Sequence, residues 1–282
     1  MLKWSALKIA NNLIYANFER NPNLSWFMPE ISAVIITYNE ELFIEKCLAS
    51  LDGIADEIIV VDSYSTDGTE DICRKFNVRF YKHKFEGFRD QKNYATGLAS
   101  HRTILSLDAD EALSEKLKQS IMSVKDNPQY DGYLFNRRNN FCGKWIRFSQ
   151  WYPDRQLRLF HSDQGKWGEF NLHERFILSN GASIGRLHGD LLHWAFSSLN
   201  DHETKMDKYA FTGAVEYHKA GKKASFITPY IHYFWGFFRS YIINRGILDG
   251  RYGFIICSLY ASSALKKYRI LRQLNRNENT GH

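Results

Sequence analysis

The sequence predicts an α/β fold built on a mostly parallel sheet, and three observations carry that expectation. Short β-branched runs alternate with amphipathic helical stretches from residue 31 onward, the pattern of βαβ units. The runs are apolar along their whole length rather than alternating, as strands covered on both faces are. Each of the longer runs ends on a polar residue, Thr37, Asp62 or Asp108, where sheets of this kind open their binding crevice.

Taken in order, Ile31–Thr37 is the first strand. Asn39 is placed to cap a helix with Glu40 and Glu41 in its first turn. Ile44, Cys47, Leu48 and Leu51 then repeat at i, i+3, i+4 and i+7, one apolar helical face. Glu57–Asp62 is a second strand, and Thr66 or Asp67 is placed to cap a helix running to Phe76. Residues 78–81 read as a third strand, 91–99 as a helix, and 103–107 as a fourth strand leading into Asp108-Ala-Asp110. A helix over 114–125 and a strand over 132–135 follow. An aromatic and basic stretch comes next: Arg137, Arg138, Phe141, Trp145, Arg147, Phe148, Trp151 and Tyr152. Residues 199–220 read as a helix. From Phe226 to Tyr241, aromatics at helical spacing (Tyr230, Tyr233, Phe234, Phe237, Phe238) trace a single stripe.

Composition narrows the class. The chain has 282 residues, 44% hydrophobic, with only 5 prolines, which excludes collagen-like repeats and low-complexity disorder. Four cysteines without a CxxC pair argue against a disulfide scaffold or zinc ribbon and for a reducing compartment. Residues 205–282 hold 13 Lys or Arg against 4 Asp or Glu, so a basic tail follows a slightly acidic body and should meet something anionic. No signal peptide is evident in the first 20 residues, and no uncharged apolar run is long enough to span a membrane.

Asp108 and Asp110 form the sharpest local signal. Two carboxylates one residue apart at a strand end suit a hard divalent cation completed by phosphate oxygens and water; the plain alternative is the acidic start of a helix. Asp62, with Ser63, Ser65, Thr66 and Asp67, is either a hydroxyl-rich turn or a carboxylate placed to accept from a base or ribose. No GxxxxGK[ST] or GxGxxG run is present, which argues against P-loop and dinucleotide enzymes. His173, His188 and His193 lack zinc-motif spacing and read as core or loop residues, with His193-Trp194 alternatively lining an acceptor pocket.

In combination the motifs are more specific. Thr37-Tyr-Asn39-Glu40, Asp62-Ser-Tyr-Ser-Thr-Asp67, Gln91-Lys-Asn93 and Asp108-Ala-Asp110 resemble the family-two inverting glycosyltransferases of the GT-A fold. Glu86-Gly-Phe88, the run Trp151 to Phe160, His173-Glu174 and the run Gly246 to Gly250 are similar to the lipopolysaccharide-core β-1,4-glucosyltransferase subfamily. The resemblance spans about residues 31–265. It implies that Thr37, Asn39, Glu40 and Asp62 hold the uracil and ribose of a UDP-sugar. It implies too that Arg89, Gln91 and Lys92 reach the diphosphate or its ribose. Asp108 would touch ribose or metal, and Asp110 would ligate Mg²⁺ or Mn²⁺.

An inverting transfer needs a carboxylate base. The usual Glu-Asp pair of the wider family is missing, leaving Glu174 and Asp154 as candidates. Each has a plain alternative as an ion-pair partner: Arg175 for Glu174, and Arg155 or Arg158 for Asp154. Trp151, Tyr152, Arg155, Arg158 and His173 are the expected acceptor contacts, aromatic faces covering sugar and arginines forking onto phosphate.

The expected organisation is an amphipathic segment over 1–30 (Trp4, Leu7, Ile9, Leu13, Ile14, Phe18), a GT-A domain over 31–220, and a basic, aromatic helical extension over 221–282. The expected activity is metal-assisted transfer of glucose from UDP-glucose to a lipopolysaccharide inner-core heptose. Its expected place is the cytoplasmic face of the inner membrane, with the extension on anionic lipid. Two alternatives stand beside it. One keeps the fold with a capsule, exopolysaccharide or protein acceptor. The other is a nucleic-acid-binding module on the basic tail, which leaves Asp62 and the Asp108–Asp110 pair without a role, so no nucleic-acid partner is expected.

Overall fold

The computed structural model describes residues 30–280 apart from 126, 171–172 and 197. The 1–30 segment expected to be amphipathic therefore lies, but for its last residue, outside the described residues.

The first half is a repeated strand–helix unit: β1 (Ile31–Thr37), α1 (Ile44–Ser50), β2 (Glu57–Asp62), α2 (Thr69–Cys73), β3 (Arg79–Lys82), α3 (Phe88–Gly97) and β4 (Thr103–Asp108). These four strands pair in parallel in the order β3-β2-β1-β4. Ala33, Ile35, Val60 and Leu105 are fully buried, as are Ile44, Cys47 and Leu48 on α1 and Leu51 just after it. The apolar face read from the sequence thus packs onto the sheet, each large side chain contributing about 1.5–3 kcal/mol.

The second half is mixed. β5 (Glu111–Leu113) and α4 (Glu115–Lys125) lead to β6 (Gly132–Phe141), β7 (Lys144–Trp145) and β8 (Asp154–His161). A two-stranded antiparallel ribbon follows, β9 (Gly165–Phe170) and β10 (His173–Leu178), and then the long β11 (Ile184–Phe196). The main sheet continues from β4 in the order β8-β6-β11-β5. Three helices close the chain: α5 (Leu199–Lys219), α6 (Thr228–Phe238) and α7 (Gly250–Thr280).

Several boundaries differ from expectation for identifiable reasons. Asn39 caps no helix: its backbone is left-handed at φ 54°. Its side-chain oxygen accepts from the Thr66 amide at 2.8 Å, so it ties the β1 loop to the β2 loop. Glu41 likewise accepts from the Gly68 amide at 2.8 Å, and α1 starts only at Ile44. Thr66 and Asp67 precede α2 without occupying its first-capping position, which Gly68 takes, and the helix stops at Cys73. Glu111 begins a strand rather than a helix, because it is fully buried and paired; Ser114, whose hydroxyl accepts from the Leu117 amide at 3.3 Å, starts α4 instead.

The aromatic stripe divides at α6. Phe237 packs against Phe254 of α7, with ring centres 5.7 Å apart, while Ile231, Phe234, Trp235 and Phe238 stay exposed. No described helix is long and apolar enough to cross a membrane.

Candidate active site

The carboxyl ends of β1, β2 and β4 meet at one open cleft of 590 Å³. Thr37, Glu40, Ser63, Gln91, Asp108 and Asp110 line it, with His193 from β11 and an aromatic wall of Tyr38, Phe85 and Phe88. The parallel strands put their ends side by side, and the pairing of β11 with β5 brings in His193, 156 positions beyond Thr37.

Beneath this cleft runs a continuous chain of ion pairs. Glu174 of β10 lies 3.3 Å from the Lys92 ammonium of α3, and that ammonium lies 2.9 Å from Asp108. Arg158 of β8 bridges Asp108 at 2.8 Å and Glu111 at 2.7 Å. Arg137 of β6 then joins Glu111 at 3.2 Å to Asp154 at 2.7 Å. Lys92, Arg158 and Glu111 are nearly or wholly buried, and buried charges are tolerated only when paired in this way. Burial alone would raise the Asp108 carboxyl. The charges of Lys92 and Arg158 outweigh it and hold Asp108 well below the usual carboxylate range. The same two carboxylates overcome the burial of Arg158 and push its guanidinium upward.

Asp110 is the acid of the pair that stays out of this chain. Its partner is His193, whose Nε2 lies 3.2 Å from Asp110 Oδ2. The other ring nitrogen of His193 is 2.6 Å from Asn139 Oδ1, which fixes the ring's orientation. Across the cleft the Glu40 carboxyl is pushed up to about 7, first by burial and then by the charge of Asp110.

A divalent cation was tested against these groups. Among the described residues no three His, Cys, Asp or Glu side chains converge on one point. Asp110 nonetheless brings a carboxylate to the cleft, a donor that suits Mn²⁺ or Mg²⁺ completed by phosphate oxygens and water, with the His193 imidazole beside it. Asp108, clasped by two cations, offers less.

The other expected donor contacts are dispersed around the cleft. The Gln91 amide is 3.1 Å from Ser63 Oγ and its carbonyl oxygen 2.8 Å from the His83 ring. Asp62 is fully buried just below and accepts from the Ser65 amide at 2.9 Å, so it shapes the loop that carries Ser63. Lys92 sits under the floor, while Arg89 is paired with Asp90 at 2.8 Å.

Among the expected acceptor contacts, Arg158 is buried in the ion-pair chain. Trp151 packs with Phe141, Phe196 and His202. The Tyr152 hydroxyl donates to Asp190 at 2.8 Å, and Arg155 is exposed on β8. His173 lies on β10, its side chain outside the described ones. Of the two candidate bases, Asp154 has both oxygens occupied, by Arg137 and by the Gln156 amide at 2.7 Å. Its ion-pair partner is Arg137, neither Arg155 nor Arg158. Glu174 makes one ion pair through Oε1, and among the described residues its Oε2 has no partner. Sequence reasoning missed His193 as a neighbour of Asp110, and also Phe85 and Tyr38; an aromatic on each side of Gly87 was the one available signal for the wall.

A cleft at the ends of parallel strands, floored by a carboxylate held between two cations and opened by a second one beside an imidazole, belongs to an α/β fold of the GT-A class. The chain belongs to glycosyl transferase family 2, whose match covers residues 32–180, and it is a glycosyltransferase. An uncharacterized glycosyltransferase of Rickettsia bellii is 28% identical over 87% of this chain and 87% of its own length. The lipopolysaccharide core biosynthesis glycosyltransferase LpsC of Rhizobium meliloti is 26% identical over 89% of this chain and 98% of its own. Among solved structures, S. aureus TarS 1-349 is 17% identical, with a TM-score of 0.41 over 90% of this chain and 93% of that one.

Proposed function

We propose that this glycosyltransferase moves glucose from UDP-glucose to an inner-core heptose of lipopolysaccharide, with inversion to a β-linkage. The observation that carries the donor side is the cleft itself. It pairs Asp110 with His193 where a diphosphate would lie and walls the remaining space with Phe85, Phe88 and Tyr38. Similarity to LpsC supports a lipopolysaccharide-type acceptor.

Asp110, with His193 beside it, would hold Mg²⁺ or Mn²⁺. A bound ion there supplies Lewis-acid neutralisation of charge on the departing diphosphate. The chain's own residues do the rest. Gln91 and Ser63 position polar atoms for the nucleoside, and Lys92 with Arg158 fixes Asp108 as a rigid floor. Of the two expected bases Glu174 is the one with an oxygen to spare, since Asp154 has none; it does not line the cleft, so the acceptor hydroxyl would meet it from the β10 side. The sugar face should carry oxocarbenium-like charge at the transition state, as in glycoside hydrolysis.

The exposed Phe234, Trp235 and Phe238 of α6, beside a basic tail, would rest on anionic lipid at the inner face of the inner membrane. That position brings the enzyme to a lipid-linked acceptor. The decisive assay follows UDP release from UDP-glucose with truncated lipopolysaccharide and Mn²⁺. Release that requires the acceptor and the ion supports the reading, and equal release from another nucleotide sugar overturns the donor assignment.

A further inference from the structure

A second cavity, of 530 Å³, opens beside the first, lined by Arg138, Lys144, Trp145, Arg147 and Asp249 among others. Trp151, Tyr152, Arg155, Arg158 and His173 do not line it, whereas Trp145, Arg147 and Phe148 of the same aromatic and basic stretch, expected from the sequence to meet the acceptor, do. Its chemistry differs sharply from that of the donor cleft: three cations and one indole face a single carboxylate.

Two features make it a built site rather than a dent. First, its one acid is already engaged. Asp249 is nearly buried and accepts from the backbone amides of Arg147 at 3.2 Å and Phe148 at 2.9 Å, so it orders the loop bearing Arg147. The turn that supplies Asp249 is itself wedged in place. A Cβ on Gly253 would fall 1.8 Å from the Gly246 carbonyl oxygen, an approach only glycine permits. Second, the cations are under-used. Lys144 and Arg147 have no carboxylate partner among the described residues, and Arg138 has only Asp190, at 3.7 Å. Cations gathered in a concave site without acids to match them are complementary to an anion, and guanidinium forks suit phosphate best.

The cavity is joined to the catalytic cleft by aromatic rings. Trp145, on its wall, meets Trp194 edge-on with ring centres 5.4 Å apart, and Trp194 follows His193 directly in β11. Leu248, also on its wall, is exposed and close in sequence to the apolar Ile242 and Ile243, which are exposed too. The cavity therefore touches both the Trp194 end of β11 and the turn that leads into α7.

We infer that the Arg138–Lys144–Arg147 cavity binds a phosphate group carried by the acceptor glycan. This rests on the glycosyltransferase reading above and adds to it an acceptor that is anionic near its reacting hydroxyl. Discrimination between acceptors then resides in these cations rather than in the residues around Asp110.

The test uses the full chain and the double variant Lys144→Ala/Arg147→Ala, both exposed positions whose loss leaves the core untouched. With the donor cleft filled by saturating UDP, inorganic phosphate is titrated and its binding followed by ³¹P line broadening. The wild type should bind and the double variant at least fivefold more weakly, with Arg147→Lys intermediate. In turnover assays the double variant should raise KM for phosphorylated truncated lipopolysaccharide about tenfold, while the phosphatase-treated acceptor is used equally by both proteins. UDP affinity, measured separately, should be the same in both. Equal phosphate binding by wild type and double variant overturns the inference while leaving the donor reading standing, whereas absence of UDP binding by the wild type removes the donor reading instead. Flotation with phosphatidylglycerol vesicles separates the two sources of phosphate. Unchanged vesicle binding by the double variant supports an acceptor phosphate, and loss of vesicle binding assigns the cations to a lipid headgroup and overturns it.

Discussion

Replacing Arg158 by Met should be among the most damaging single changes in the site, even though the side chain never reaches the cleft surface. Arg158 is 3% exposed and holds Asp108 at 2.8 Å and Glu111 at 2.7 Å. Removing it leaves two carboxylates with one cation each, Lys92 for Asp108 and Arg137 for Glu111. Breaking a buried pair costs about 3–5 kcal/mol when a charge is left alone; since each acid keeps a partner, the lower end, about 3 kcal/mol, is expected. For a domain of this size that corresponds to a fall in Tm of about 6–12 °C. The assay is thermal unfolding by circular dichroism at several pH values. In the wild type the depressed Asp108 pKa contributes stability that is fully present above the unfolded carboxylate value and lost as pH falls below it. In Arg158→Met the share due to Arg158 is gone while the larger share due to Lys92 remains, so the gap between variant and wild type should narrow in part as the pH is lowered. Arg155→Ala, three positions away on the same strand and exposed, should stay within about 0.5 kcal/mol of wild type. If Arg158→Met unfolds within about 1 kcal/mol of wild type, or matches Arg155→Ala, then the ion-pair chain contributes no net stability and the reasoning fails.

Asp110→Asn should lower turnover by at least about 100-fold, with folding unchanged, as read by UDP release alongside a melting curve. Glu174→Gln should reduce kcat with little change in KM for the donor. Asp154→Asn should instead act on stability, which separates the two carboxylates by calorimetry and kinetics together. Glu40, pushed up to about 7, holds its proton in the folded state at pH values where the unfolded chain has released it. Its contribution to stability is therefore full below the ordinary carboxylate range and lost as pH rises through 7. Glu40→Gln should flatten that decline in denaturant titrations between pH 4.5 and 7. Phe234→Ala/Trp235→Ala should abolish flotation with anionic vesicles and leave UDP binding intact; retained flotation would put the lipid contact elsewhere.

The parallel half of the fold was legible because its strands are short, mainly apolar runs that finish on a polar residue, as in Ile31–Thr37 and Glu57–Asp62. The mixed half was not. β6 runs on past residue 135 through Asn136, Arg137 and Arg138, which look like a loop until Arg137 is seen paired with the buried Glu111. β5 hides for the same reason, since Glu111 reads as the acid of a helix start until Arg158 and Arg137 meet it. Within the site, Asp108 and Asp110 were visible as a pair, but their division of labour was not. It depends on Lys92, Arg158 and His193, which arrive from α3, β8 and β11. His193 comes from 83 residues beyond Asp110, and no local spacing signals a partner set by strand order.

The strand order has a mechanical consequence. β4 and β5 are four spacings apart along the path β4-β8-β6-β11-β5, which would be about 19 Å in a flat sheet. Yet Ala109 and Asp110 alone connect them, a reach of about 11 Å from Asp108 to Glu111. The part of the sheet running from β4 to β5 must therefore bend round until those two strands come close, and the short link through Ala109 and Asp110 is the buckle that holds it closed. One residue added between Asp108 and Glu111 would slacken that buckle while sparing the β1–β4 half. The register of β5 on β11, which sets His193 against Glu111, thus fixes how far the Asp110 carboxylate stands from the His193 ring.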